Sequence, residues 1–316
     1  MKTLALLALV GLGAQLLDGS LGMAYGVTST TFLLLLGATP AAASATIHLA
    51  EIGTTLSSGF SHWRFGNVDW RVVAKIGIPG TIGAFTGATL LAHISTAAAT
   101  PVMGLILLGL GLYLLIRFTF HGFSRRHLGK PLRARFLSPL GLVAGFVDAL
   151  GGGGWGPIGT SSVLASGRLE PRKVVGSIDT SKFLVSSAAS IGFLTSLGFG
   201  GVDLRWVGGL LIGGIVAAPI AAFLVRRMPP RLLGSLVGGL LVFTNARSLL
   251  RSDLIGASPA VQWTCLAVVL AAWAGAFAYS MRAHLRERAA DPHVALASAP
   301  SPAREEAALE LDRQAG

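Results

Sequence analysis

The sequence predicts an all-α polytopic membrane protein. Its plan is two inverted repeats, each a short helical hairpin plus three spanning helices, with one extra C-terminal span. Three observations predict this: long stretches without charge, a doubled order of unusual residues, and basic loops that all fall on one side of the bilayer.

Charge comes first. Only 12% of the 316 residues are charged and the mean hydropathy is +0.68, whereas a soluble domain carries about 25% charged residues. No formally charged residue lies between Lys75 and Arg117, room for two spans of about 20 residues. Lys182 to Asp203, Arg205 to Arg226 and Asp253 to Arg282 bound further uncharged runs. In lipid a backbone must satisfy its own hydrogen bonds, which long apolar runs do as helices. The net charge of +11 sits at span ends, so the positive-inside rule accounts for it and nucleic acid is not an expected partner. The sole cysteine, Cys265, lies in an apolar run, which excludes an intrachain disulfide and a cysteine-rich metal site.

The repeat emerges when Asp18 is placed over Asp148. GLGAQLLDGSLGMAYGVTSTTFLLLLGATP then aligns with GLVAGFVDALGGGGWGPIGTSSVLASGRLEP. Gly22 falls on Gly152, Tyr25 on Trp155, Gly26 on Gly156 and Thr30 on Thr160; with one residue inserted, Pro40 falls on Pro171, His48 on Asp179 and Glu51 on Lys182. Val68-Asp69 falls on Val202-Asp203. The units are residues 1–120 and 137–251, joined by a basic loop at 121–136. Residues 252–281 form the extra span, and 282–316, rich in Ala, Pro and mixed charge, read as a disordered tail. Residues 1–17 resemble a signal peptide in composition, but no A-x-A-like site follows and they have a counterpart in the second unit, so they read as a helix.

Each unit opens with two short helices around a Gly-rich turn, 3–17 with 24–37 and 137–149 with 157–167. At 1.5 Å per residue such arms reach about 21 Å, short of the ~30 Å core, as a re-entrant hairpin or a pair of short spans. Full helices follow at 40–60, 72–95 and 99–119, then at 171–197, 205–226 and 231–250, and the last span is 259–281. Gly209/Gly213 and Gly234/Gly238 present small faces for close helix packing.

Orientation follows from the basic loops. Arg117, Arg125, Arg126, Lys130, Arg133 and Arg135 occur with no acid between them, which makes that loop cytoplasmic. Counting outward from it, Arg64, Arg71, Lys75, Arg168, Arg172, Lys173, Arg226, Arg227, Arg231 and the C-terminus are also cytoplasmic. Corresponding loops of the two units then lie on opposite faces, the inverted architecture of many secondary transporters. The expected location is the cell (inner or plasma) membrane, as a multi-pass protein. The bilayer is one partner; a homodimer is compatible with the sequence but not required by it.

The glycine-rich hairpin, the long helix opening P-x-x-x-x-G-S at Pro171, and the doubled layout resemble the sulfite exporter TauE/SafE family of permeases, over residues 4–280. The first copy departs from the glycine-rich pattern at Ser20, Met23 and Ala24. The resemblance implies export or uptake of sulfite, sulfonates and related small anions.

Ionisable residues inside apolar spans mark pathways. Asp179 and Lys182 share one helix face, as do His48 and Glu51. In the functional reading these four meet near the midplane. Lys182 attracts the anion, and His48, Glu51 or Asp179 carries a coupling proton. In the structural reading they are ion pairs, Lys182 with Asp179 or with Glu51, that hold two helices in register. Broken helices at Gly22–Thr30 and Gly151–Thr160 offer an anion the backbone N–H groups of Gly152, Gly153, Gly154, Trp155 and Gly156 and the hydroxyls of Thr28, Ser29, Thr30, Thr160 and Ser161. Tyr25 and Trp155 wall the site or pack as plain aromatics. Asp18 and Asp148 cap the turns or bind a proton or cation.

Other chemistry is not expected. Gly151-x-Gly153-x-x-Gly156 matches a dinucleotide fingerprint without the βαβ unit that gives it meaning. No G-x-x-x-x-G-K-[ST] loop occurs, so drive must come from a gradient. The histidines are scattered without metal-ligand spacing, and no cofactor or metal is expected. The function that follows is a secondary transporter of a small anion, sulfite or an organosulfur or sulfonate anion, working by alternating access with a proton as candidate coupling ion. The alternatives are an anion channel and a membrane-embedded enzyme on a small sulfur compound; no convincing nucleophile–base set supports an enzyme.

Overall fold

The computed structural model describes residues 2–21, 23–120, 129–224, 230–252 and 255–289. Among them there is helix and no strand. The first unit contains α1 (Lys2–Leu21), α2 (Tyr25–Leu35), α3 (Pro40–Arg64), α4 (Trp70–His93) and α5 (Thr96–Phe120). The second contains α6 (Ala134–Gly151), a π-helical turn at Trp155–Thr160 that runs into α7 (Ser161–Ala165), then α8 (Pro171–Leu197), α9 (Leu204–Leu224) and α10 (Pro230–Arg251). The last helix is α11 (Pro259–Ala289). Thr96–Phe120, Ala134–Gly151 and Pro259–Arg286 are each long and apolar enough to cross a bilayer.

The long helices begin where local chemistry starts them. Thr39 caps α3, its side chain accepting from Ala42 N at 3.3 Å, and Pro40 supplies a φ already suited to the first turn. Asp69 caps α4 by accepting from Arg71 N at 2.9 Å and Val72 N at 3.3 Å. Asp203, its partner in the sequence repeat, accepts from Arg205 N at 2.8 Å ahead of α9. The Val-Asp pair common to both units is therefore a helix-start signal.

The opening elements differ from expectation in proportion. α1 has 20 residues and α6 has 18, about 30 and 27 Å at 1.5 Å per residue, where both were expected to be near 21 Å. The return arms are short: α2 has 11 residues, and α7 has 5 after a six-residue π turn. Each opening element is thus one long arm and one short one. The arms lengthen because helix runs on through Asp18-Gly19-Ser20-Leu21 in α1, and through Ala134–Phe136 and Leu150-Gly151 in α6, so Asp18 and Asp148 lie inside the last turns. At the other end of the chain, α11 continues past 281 to Ala289; residues 290–316, expected to be disordered, lie outside the described residues.

The helices pack in exchanged pairs. α6 lies chiefly against α4, and α1, its counterpart, lies against α9, the counterpart of α4. α4 packs on α8 as α9 packs on α3. Counterparts also meet directly, α3 with α8 and α5 with α10. Glycine makes the closest approaches. Any side chain at Gly141 or Gly145 would run into the α4 carbonyls of Ile76 and Gly80, and one at Gly11 or Gly213 would strike Leu210 or Ala8 across the α1–α9 contact. Gly234 and Gly238 do the same for α10 against Phe118 and Leu115 of α5. Lipid offers no hydrophobic drive between helices, so contact of this closeness is what holds them. α11 packs on α10 and touches α5, and is otherwise exposed.

Candidate functional site

The two glycine-rich turns meet each other in the interior. Gly152 takes the left-handed φ of +64° that ends α6, and Gly153 N then donates to Asp148 O at 3.1 Å. A Cβ on Gly153 would overlap the backbone of Gly26 and Val27. One on Gly26 would collide with Gly152 O and Gly153 Cα at 2.8 Å. Thr30 Oγ1 donates to Gly152 O at 2.5 Å, and Ser44 Oγ of α3 donates to Ala149 O at 2.6 Å.

The aspartates before the turns act alike. Asp18 Oδ1 accepts from Ala24 N at 2.6 Å and Tyr25 N at 3.0 Å; Asp148 Oδ1 accepts from Gly154 N at 2.5 Å and Trp155 N at 2.8 Å. The amides of Gly153, Gly154 and Trp155, expected to face an anion, are therefore already occupied by Asp148. The geometry explains why: a carboxylate one turn earlier is the nearest acceptor for a helix start broken by glycine. Gly156 lies inside the π turn and is buried. Both aromatics are interior. Trp155 is 0% exposed, its Nε1 donating to Ile178 O at 3.0 Å, and Tyr25 is 1% exposed, its hydroxyl donating to Leu210 O at 3.3 Å. Neither belongs to an interfacial belt.

Beside this junction lies a chain of ionisable groups. Lys182 Nζ of α8 is 2.6 Å from Glu51 Oε1 of α3. Ser186 Oγ donates to Glu51 Oε2 at 2.9 Å, and His48 Nδ1 is 3.3 Å from that same oxygen. His48 Nδ1 is also 3.9 Å from Asp148 Oδ2, and its Nε2 lies 3.4 Å from Asp148 O. Phe193 stacks on the imidazole at 6.2 Å. All four ionisable side chains are buried, Lys182 the least so at 6% exposed. The site of a Cβ on Gly26 lies 3.4 Å from Glu51 Oε1, which ties the ion pair to the turn junction.

Of the pairings the sequence allowed, the structure forms Lys182–Glu51 and not Lys182–Asp179. Asp179, one face over, is partly exposed and lies beside Ser58, with an Oδ2 that has no hydrogen-bond partner. His48, Glu51 and Asp148 bring three ligand atoms within 4.8 Å of one another, a grouping that could hold a cation and that the linear spacing of the histidines concealed. The adjacent Lys182 ammonium already neutralises one carboxylate of that set.

Several buried polar atoms have no hydrogen-bond partner: Thr28 Oγ1, Ser29 Oγ, Asp148 Oδ2 and Ser190 Oγ. Buried polar groups are normally paired, so these atoms are candidates for contact with a polar guest. Ser161 Oγ donates to Met23 Sδ at 3.4 Å, and Thr160 is buried. Ser186, Ser190, Ser44 and Asn245 were not among the residues singled out from sequence. Lys182, Ser186 and Ser190 recur every fourth residue, a polar stripe that was legible on α8. Asn245 Nδ2 donates to Thr31 Oγ1 at 3.2 Å, a contact between units that no local pattern announces.

The family described as sulfite exporter TauE/SafE matches residues 7–248, both units and their linker. The chain is 53% identical over 253 residues to the probable membrane transporter protein YtnM of Bacillus subtilis (strain 168), covering 79% of this chain and 84% of that protein. It is 26% identical over 251 residues to the probable membrane transporter protein YjnA of the same organism, covering 76% and 97%. No solved structure matches the chain significantly.

Proposed function

Because the chain belongs to the sulfite exporter TauE/SafE family and is a multi-pass membrane transporter, we propose that it carries a small anion, sulfite or an organosulfur or sulfonate anion, by alternating access with a proton as the coupled ion. The observation that carries this reading is the buried Lys182–Glu51 pair, 2.6 Å apart, at the junction of the two glycine turns. A buried ion pair is poor value as mere stabilisation, since desolvation of both charges offsets their attraction. It makes sense as an exchangeable pair. An incoming anion takes the place of the Glu51 carboxylate on Lys182, and Glu51, deprived of its cation in a dry interior, takes up a proton. Site charge is conserved, and anion and proton move together.

His48 is placed for the proton's path. Its Nδ1 lies near both carboxylates, Glu51 Oε2 and Asp148 Oδ2. Lys182 and the unpartnered hydroxyls of Thr28, Ser29 and Ser190 are the groups we assign to the anion. The turn amides contribute only if Asp148 releases them, so Gly152, Gly153 and Gly154 act first as shape, letting the turns touch. Asp18 acts as the cap of the first turn, and Asp179 stands apart from the Lys182–Glu51 pair.

We take the two units to be oppositely oriented, so that rocking one against the other exposes the junction to each face in turn. The exchanged helix pairs and the basic loops support this arrangement. The test is flux in proteoliposomes with sulfite, thiosulfate, sulfoacetate, taurine and simple carboxylates. Saturable uptake with counterflow of one sulfur anion is expected. Unsaturable flux would make the protein a channel, and chemical turnover of the added compound would make it an enzyme.

A further inference from the structure

A second charged feature lies outside the transport junction. The segment linking the units is tied back to the turn after α7: Gly129 N donates to Arg168 O at 3.1 Å, and Arg168 Nη1 donates to Pro131 O at 3.3 Å. Lys75 Nζ of α4 donates to Leu132 O at 3.2 Å, and Ser138 Oγ of α6 donates to Lys75 O at 3.3 Å. These bonds frame a cavity of about 560 Å³. Its walls carry Lys130, Arg133, Arg135 and Arg168 and no acid, and Leu132 and Phe136 give it an apolar side. Among the described residues none of the four cations is ion-paired with a carboxylate. Arg172, close by in sequence, is in contrast matched to Glu170 at 2.7 Å.

Four like charges facing one cavity repel one another unless an anion sits between them, and arginine prefers the planar two-point geometry of phosphate oxygens. We propose that this cavity binds the phosphodiester headgroup of an anionic phospholipid. Three observations favour lipid over free phosphate. The cavity opens at the start of α6, a helix apolar enough to span the bilayer. Phe136 is 40% exposed at its rim. The apolar wall gives an acyl-glycerol backbone something to lie against, which an inorganic ion would not use. Basic pockets at the ends of membrane helices have this chemistry in general. The bound headgroup would bridge Arg133, just ahead of α6, and Arg135 in its first turn to Arg168 beyond α7, clamping the linker between units independently of the transported anion.

The test is native mass spectrometry of the full chain in detergent, titrated with phosphatidylglycerol or phosphatidylcholine. Wild type should retain phosphatidylglycerol preferentially. Arg133→Gln with Arg135→Gln should lower that retention about thirtyfold, as expected for two surface charges. Arg282→Gln with Arg286→Gln, at the exposed end of α11, should leave it unchanged. Both double variants should keep the wild-type elution profile, since none of these side chains is hydrogen-bonded or ion-paired among the described residues. Adding Arg168→Gln tests the third charge. Equal loss in both double variants, or no preference for phosphatidylglycerol, would overturn the proposal. So would displacement of the lipid by excess orthophosphate, which would identify a soluble-phosphate site instead.

Discussion

Thr30 and Gly152 stand 122 positions apart, yet the threonine hydroxyl donates to the glycine carbonyl at 2.5 Å. This bond joins the two turns that interrupt the opening helices. It lies next to the Lys182–Glu51 pair, so a movement of one unit against the other must work on both.

The ion pair gives the first prediction. Lys182→Met leaves Glu51 buried without a cation, and Glu51→Gln leaves Lys182 buried without an anion, each lowering stability by about 3–5 kcal/mol. The double variant, Lys182→Met with Glu51→Gln, should recover most of that stability in thermal unfolding in detergent. It should not recover transport. Restored flux in the double variant would show that the pair is scaffold only.

A proton carried on Glu51 makes transport depend on the pH gradient. Flux of the anion into liposomes should rise as the side from which it enters is made more acid. Glu51→Gln, which holds no exchangeable proton, should flatten the profile even where residual flux persists. An unchanged profile would remove Glu51 from coupling.

The two aspartates make the same pair of caps but differ in their second oxygen. Asp148 Oδ2 lies 3.9 Å from His48 Nδ1, whereas among the described residues Asp18 has no histidine beside it. Asparagine keeps an acceptor and loses the charge. Asp18→Asn should therefore leave transport near wild type, and Asp148→Asn should impair it at comparable folded yield. Alanine at either site loses a cap worth about 0.5–2 kcal/mol. Equal transport by the two asparagine variants would reduce both residues to caps.

Gly153→Ala tests the contact of the turns. The added methyl would overlap the backbone of Gly26 and Val27, and backbone cannot swing aside as a side chain does. A loss of about 1–3 kcal/mol or more is expected, read as a fall in monodisperse protein and in flux. Full activity would mean that the turns separate freely.

The unpartnered hydroxyls separate stability from affinity. Thr28→Val and Ser190→Ala each remove a buried group with no hydrogen bond, so stability should hold or rise. Anion affinity should fall roughly two- to tenfold if the hydroxyl contacts substrate, the worth of one hydrogen bond. Unchanged affinity in both would move the anion's place elsewhere.

Much of this was legible in the sequence because the repeat doubles each signal. Asp69 and Asp203 are both helix starts, Asp18 and Asp148 both cap broken turns, and Lys182 and Glu51, aligned with each other, turn out to be partners. What stayed hidden had no local signature. The sequence offered the amides of Gly154 and Trp155 both to an anion and to an Asp148 cap, and only the fold shows that Asp148 takes them. His48 read as a partner of Glu51 on its own helix, but its approach to Asp148 stayed hidden because the two lie 100 positions apart. The arms of the opening elements read as too short because a glycine or an acid is a weak stop when the turn beyond it is capped. Asn245 and Ser44 are single polar residues whose partners are set by helix contacts that no periodicity encodes.

The last helix has a practical consequence. Among the described residues it rests chiefly against α10 and α5, and the family match ends at residue 248, ahead of its first residue, Pro259. The remaining ten helices close upon themselves without it. A protease site placed between Arg251 and Pro259 should split the polypeptide without dispersing it, and a label or fusion attached to the final segment would report from the periphery while leaving the carrier undisturbed.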